Sequence, residues 1–368
     1  MSNRLREIAA LGQSIWIDNI SRQLLEDGIM ARLIEEDGIS GVTSNPTIFE
    51  KAMAHSDRYD DAFREVIDET QDPQEIFEKL AYRDIRDAAD LLRPVYERTG
   101  GADGYVSFEV PASMAFDSGK TVEAAQRYKR EIDRPNVLIK VPGTGDGVKA
   151  FEELTALGIN VNVTLLFAVE RYEAIAEAFI KGLERRAEKG ESIDGSASVA
   201  SFFVSRVDGK VDKALEGTDH EDLRGKAAVA NARIAYESFQ RIFSGPRWEA
   251  LAAKGARVQR PLWASTSTKN PDYPDTLYVD ELIGPDTVNT MPDQTIEAAR
   301  DHATAERTID KDVAQAHETI DAVKAAGVDF EKIVSQELVD EGVKSFGDSY
   351  DSLLDSIKQK ASELVHAG

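Results

Sequence analysis

With 67 acidic against 44 basic side chains in 368 residues, the chain carries a net charge of −23, which argues against nucleic acid and anionic membrane surfaces as partners. It has no cysteine, so disulfides, thiolate catalysis and Cys-type zinc sites are excluded. A hydrophobic fraction of 42% with 30% charged residues is ordinary for a soluble globular protein with a sizeable core. The opening MSNRLREIAALGQSIW has no apolar core of signal-peptide length, and no stretch approaches about 18 apolar residues, so a cytoplasmic enzyme or binding protein is expected.

The pattern predicts a short amphipathic helix over 3–11 and a first strand over Ser14–Asp18. Arg22–Glu36 reads as one helix, with Leu24, Leu25, Ile29, Met30 and Leu33 on a buried stripe. Val42–Pro46 is a second strand, residues 56–98 are largely helical, and Tyr105–Pro111 is a third strand. A helix over Thr121–Glu131 precedes a fourth strand, Asn136–Val141, which stops at Pro142-Gly143 before a helix near Gly147. Ile159–Thr164, Ser198–Val204, Arg260–Ser265 and Asp286–Thr290 are strands five to eight, with helices between them. From Asp293 the chain reads as helical to its end.

Short apolar strands alternating with helices argue for a parallel α/β fold. Eight of them argue for a closed (β/α)8 TIM barrel with additional helices, a single domain over 1–368 with the helices from about 309 to 368 packed on the barrel. No glycine-rich dinucleotide loop follows the first strand. Gly143-Thr-Gly-Asp-Gly147 looks like one but lies in mid-chain with the wrong spacing.

Lys140 sits among β-branched residues near a strand end. A lysine there is either structural, its stem packed and its head escaping, or a nucleophilic amine whose free base attacks a carbonyl. The other strand ends bear on the choice. Asp18 closes strand one, Asn45 strand two and Glu109 strand three. Asn160, Asn162 and Thr164 share one parity of strand five; strand six offers Ser201 and Phe203, with Arg206 beyond; strand seven offers Ser265 and Ser267, with Lys269 in the loop.

Each residue has an ordinary role available, such as a turn former at Asn45 or a helix cap at Ser265. Together, so many polar groups on one inward face require a wet site. Two carboxylates can serve separate proton transfers beside the amine. Asn45, Asn162 and Ser201 can hold sugar hydroxyls, and Arg206 with Ser265 and Lys269 can hold a phosphate. The histidines, His55, His220, His302, His317 and His366, fall away from strand ends, which argues against a His-based zinc site. A metal-free Schiff-base lyase or transferase, with no cofactor, is the chemistry left.

These residues resemble the transaldolase family. Ile139-Lys140-Val141-Pro142-Gly143-Thr144 is similar to its Schiff-base strand, Thr43-Ser44-Asn45-Pro46-Thr47 to its Thr-x-Asn-Pro motif, and Asn160-Val-Asn-Val-Thr164-Leu-Leu-Phe167 to its fifth-strand motif. Asp18, Glu109-Val110 and Ser201-Phe-Phe-Val-Ser-Arg206 follow in matching order, and Trp263-Ala-Ser-Thr-Ser-Thr-Lys269-Asn resembles the longer bacterial type. The resemblance implies transfer of a dihydroxyacetone unit from sedoheptulose 7-phosphate to glyceraldehyde 3-phosphate, with sugar phosphates as the only partners and a monomer or homodimer as the assembly. It implies Lys140 as the Schiff-base residue, Asp18 as the proton carrier for C–C cleavage, and Glu109 with Thr164 holding water. It further implies Asn45, Ser201 and Phe203 around the three-carbon unit, and Arg206 with Ser265 on phosphate. Shorter members carry an arginine two residues after the strand-seven serine. Here that position is Ser267, and Lys269 is the candidate replacement, a point charge without a bidentate fork. An aldolase that releases free dihydroxyacetone and a non-catalytic sugar-phosphate sensor are the competing readings.

Overall fold

Eight short parallel strands close on themselves in a computed structural model that describes residues 3–54 and 56–366. They are β1 (Gln13–Ile17), β2 (Gly41–Val42), β3 (Tyr105–Glu109), β4 (Val137–Pro142), β5 (Val161–Leu166), β6 (Ser198–Phe203), β7 (Arg260–Ala264) and β8 (Thr287–Met291). Each pairs with the next and β1 pairs with β8, so no edge is left open and the expected (β/α)8 barrel is what forms. Both faces of the strands are buried, as parallel strands covered by helices require, with polar side chains such as Ser107, Lys140, Asn162 and Ser201 among the apolar ones.

One glycine in this sheet is demanded by packing. Trp16 is fully buried, and its indole Nε1 donates to Asp103 Oδ1 at 2.9 Å near the N-terminal end of the barrel. A Cβ on Gly41, its register partner on β2, would lie 2.4 Å from the indole ring. The glycines after Lys140 also have a packing reason. A Cβ on Gly143 would meet Leu166 Cδ2 at 2.3 Å, and one on Gly147 would meet the Pro142 carbonyl at 1.9 Å. The Gly143–Gly147 stretch is therefore a tight strand-to-helix turn. Its helix, Gly145–Ala156, is capped by Thr144 Oγ1, which accepts from the Gly147 N–H at 3.0 Å.

Several element boundaries differ from the pattern. The Arg22–Glu36 segment is broken into Arg22–Glu26, Ile29–Arg32 and a π turn at Leu33–Asp37, because Gly28 adopts φ +68°. Strand two is only Gly41–Val42, since Pro46 opens the next helix and Asn45 Oδ1 accepts from the Ile48 N–H at 3.0 Å. Strand five starts at Val161, which leaves Asn160 before the strand with its Oδ1 accepting from the Ala197 N–H. After the Asp293–His302 helix, residues 303–312 are not helical, and helices resume at Val313–Ala325.

The last helix, Leu338–His366, lies across the helices Pro46–Ala54, Asp60–Ile67 and Pro73–Arg98 that link β2 to β3. Gly342, Phe346, Tyr350, Leu353 and Ile357 recur at helical spacing, and the last four are buried. Tyr350 meets Phe77 edge-on at 5.9 Å, Thr47 Oγ1 donates to Ser349 Oγ at 2.9 Å, and Lys360 Nζ pairs with Asp60 at 2.8 Å.

The contact between Gly41 and Trp16 sets the first prediction. Gly41→Ala overpacks the barrel interior and is expected to cost about 1–3 kcal/mol, read as a lower guanidinium unfolding midpoint. An unchanged midpoint would show that the indole has room to move.

Candidate active site

The register of the sheet sets the height of the reactive groups. Glu109 on β3 is level with Lys140 on β4, and Lys140 is level with Asn162 on β5. Lys140 Nζ lies 3.2 Å from Glu109 Oε2, and the two side chains are only 6% and 7% exposed. Nζ also donates to the Ser44 carbonyl at 3.1 Å and faces the ring of Phe346 at 5.4 Å from its centroid. Phe346 comes from the last helix, and nothing in the sequence pattern pointed to it.

Asp18 follows β1, its N–H donating to the Met291 carbonyl of β8 at 2.8 Å. Thr43 Oγ1 donates to its carboxylate at 2.7 Å. Thr43 has one hydroxyl proton, so Thr290, 2.6 Å away, is the donor in their mutual contact. Burial pushes the Asp18 carboxyl above its ordinary range, opposed by the Lys140 charge and the Thr43 hydrogen bond. Burial pushes Glu109 up as well, again opposed by Lys140.

Asp18, Asn45, Lys140, Thr164, Ser201, Phe203, Arg206, Ser265, Ser267 and Lys269 line one cavity of about 240 Å³ at the C-terminal ends of the strands. Thr43, Thr290, Gln294 and Phe346 complete its wall without having been picked out as site residues. Thr43 lay inside the Thr43–Thr47 motif, and Thr290 ends strand eight, so both carried a signal. Glu109 stands behind the lysine, outside that lining. Thr164 Oγ1 is buried and has no hydrogen-bond partner among the described residues, so it is open to a water or a substrate oxygen.

Asn162 is placed differently from the others. It is fully buried, outside the cavity lining, with Nδ2 donating to Ser107 Oγ at 3.0 Å and Oδ1 accepting from Ser201 Oγ at 2.7 Å. Its amide thereby ties Ser201 to Ser107 with one N–H and one lone pair. Asn160 lies at the opposite end of its strand, where Nδ2 donates to the Pro135 carbonyl at 3.4 Å. His220, His302 and His317 are on exposed elements away from the cavity, and His55 lies outside the described residues. Among the described residues no group of three or more His, Asp or Glu side chains is arranged to hold a metal ion.

The far end of the cavity is cationic. Arg206 is half-buried, its guanidinium stacked on Phe203 at 5.2 Å, and no carboxylate lies within 4.0 Å of it among the described residues. Burial pulls its pKa below the usual arginine range, against the charge of Glu341. Ser265 takes φ +56°, an uncommon conformation for serine, and its Oγ is 2.9 Å from Ser205 Oγ. Buried Ser267 accepts at Oγ from Nζ of the exposed Lys269 at 2.7 Å.

The helix that begins at Ser205 and presents Arg206 also anchors this loop. Its Asp212 accepts from Tyr273 at 2.6 Å and its Asp208 from Tyr278 at 2.8 Å. Burial pushes the Asp208 carboxyl up to about 7.

A sequence profile of the transaldolase/fructose-6-phosphate aldolase family matches residues 15–357. A transaldolase of Thiobacillus denitrificans is 49% identical over 358 residues, covering 96% of this chain and 99% of the relative. A protein named transaldolase 2 from a Nostoc species is 47% identical, with 98% of both chains covered. A transaldolase of Thermobifida fusca is likewise 47% identical, over 98% of this chain and 99% of the relative.

An unpaired guanidinium in a cavity is a receptor for an oxyanion. Arg206→Ala is expected to weaken binding of inorganic phosphate by about 1.5–3 kcal/mol, roughly ten- to a hundredfold. Lys269→Ala removes an exposed point charge and is expected to cost about 1 kcal/mol or less. Calorimetric titration distinguishes the two; an equal effect, or none from Arg206, would place the anion elsewhere.

Proposed function

The chain belongs to the transaldolase/fructose-6-phosphate aldolase family and is a transaldolase, and on that premise we propose how its residues divide the reaction. The donor is sedoheptulose 7-phosphate and the acceptor glyceraldehyde 3-phosphate. The products are erythrose 4-phosphate and fructose 6-phosphate. The observation that carries the assignment is the buried amine of Lys140, 3.2 Å from one carboxylate and sharing its cavity with another.

Lys140 Nζ attacks the ketose carbonyl and the carbinolamine loses water to give an iminium ion. Glu109, the carboxylate nearest the nitrogen, passes protons through a water held at Thr164 Oγ1 in this step and in the final hydrolysis. Asp18 takes the proton from the C4 hydroxyl, the C3–C4 bond breaks, and the aldose leaves as an aldehyde. The bond's electrons stay with the three-carbon unit as an enamine on Nζ. The enamine carbon then attacks the acceptor aldehyde, and Asp18 returns its proton to the new alkoxide.

The raised affinity of Asp18 for a proton suits a group that must both take one and give it back. Asn45 and Ser201 hold hydroxyls of the three-carbon unit. Asn162 supports Ser201 from behind. Arg206, Ser265 and the Ser267–Lys269 pair take the phosphate, so the cavity orients the sugar from its anionic end. A place in the cytoplasmic pentose phosphate pathway follows from these substrates; no helix of the described residues is long and apolar enough to cross a membrane.

The two carboxylates are expected to fail at different steps. Asp18→Ala forms the donor Schiff base but cleaves it slowly, so borohydride traps an adduct carrying the whole ketose phosphate. Glu109→Gln is slow to form any adduct. Mass spectrometry separates the outcomes by added mass. If Asp18→Ala traps only the three-carbon unit at the native rate, the cleavage base lies elsewhere.

A further inference from the structure

Lys140 is approached from outside the barrel by one aromatic ring, and the chain is shaped to bring it there. On β5 the pairing with β6 shifts between Val163 and Leu166, and Leu165 in the bulge has φ +60°. The last helix crosses this bulge at Gly342, where a Cβ would come within 2.8 Å of Leu165 Cδ2. A side chain at that position would push the helix outward. One turn later on the same face, Phe346 enters the cavity wall, 8% exposed, with Lys140 Nζ over its ring at 5.4 Å. The next turn is held by Tyr350 against Phe77. A close helix crossing, a strained bulge and an anchored next turn thus converge on the position of one ring.

We infer that Phe346 is the shield of the reactive nitrogen, holding the three-carbon unit on the enzyme until an acceptor arrives. The inference rests on the reading of Lys140 as the Schiff-base residue. After cleavage the unit is an enamine on Nζ, and its premature loss consumes one water. That water protonates the enamine carbon, its hydroxide adds to the resulting iminium carbon, and the C–N bond breaks. Free dihydroxyacetone leaves and the amine is restored. The ring opposes this loss by occupying space that water would take. An apolar ring there supplies no nucleophile and no proton of its own.

The test compares the native enzyme with Phe346→Leu, which keeps apolar volume in the helix contact, and Phe346→Ala. Two rates are measured: release of free dihydroxyacetone from fructose 6-phosphate without acceptor, and transfer to glyceraldehyde 3-phosphate. The ratio of release to transfer is expected to rise about tenfold in Phe346→Ala and about threefold in Phe346→Leu, as water gains access to the nitrogen. A structural role would lower both rates together and leave the ratio alone. An unchanged ratio in either folded variant overturns the proposal, and if Phe346→Ala does not fold, Phe346→Leu decides alone. Failure of borohydride and fructose 6-phosphate to label Lys140 in the native enzyme would overturn the Schiff-base reading instead.

Discussion

The structure depends on keeping an amine inside a barrel. An ionisable group taken out of water is costly unless other groups meet it, and cost and chemistry share an origin here. Lys140 is met by Glu109 at 3.2 Å, by the Ser44 carbonyl and by the face of Phe346. These partners come from three distant parts of the chain. Parallel register brings Glu109 level with it, the truncated second strand turns the Ser44 carbonyl toward it, and the last helix supplies the ring. Both carboxylates are held above their ordinary proton affinity by the same burial. The pair Asp18 and Glu109 therefore has two environments: one lines the cavity with threonine donors behind it, the other pairs with the nitrogen.

The second constraint is electrostatic. A chain with a net charge of −23 repels anionic sugars at long range, so phosphate must be drawn by local charge. Arg206, which we propose as that charge, has no carboxylate within 4.0 Å to neutralise it among the described residues. Its position and that of the strand-seven loop are tied together. One helix carries Arg206 at its start and grips Tyr273 and Tyr278 through Asp212 and Asp208. The Ser267–Lys269 contact then places a cation on the rim where the shorter relatives, by resemblance, carry an arginine.

Most of this architecture was legible in the sequence because parallel strands and their helices write a two-letter pattern of apolar runs and amphipathic stretches. Polar residues at strand ends stood out because they are costly anywhere but a wet site, and ten of the thirteen residues singled out line one cavity. What could not be read needed three dimensions. Asn162 has the parity of a site residue, yet its bonds to Ser107 and Ser201 set it behind the cavity lining, and no sequence pattern reports a hydrogen-bond partner. Gly28 broke a helix whose apolar stripe ran straight through it. The bulge at Leu165 defeats a strict period of two beyond Val163, and the fifth strand runs on to Leu166. Phe346 lies on a helix whose stripe is indistinguishable from ordinary packing, and only the docking of that helix gives it a place beside Lys140.

The central claim is that the lysine held between Glu109 and Phe346 forms the bond to substrate. Its most direct measurement is peptide mass mapping of the native enzyme after incubation with fructose 6-phosphate and borohydride. The account predicts one reduced adduct on the peptide containing Lys140, formed at full yield in the presence of a chelator. A label on another lysine, or loss of labelling when the chelator is added, would contradict it.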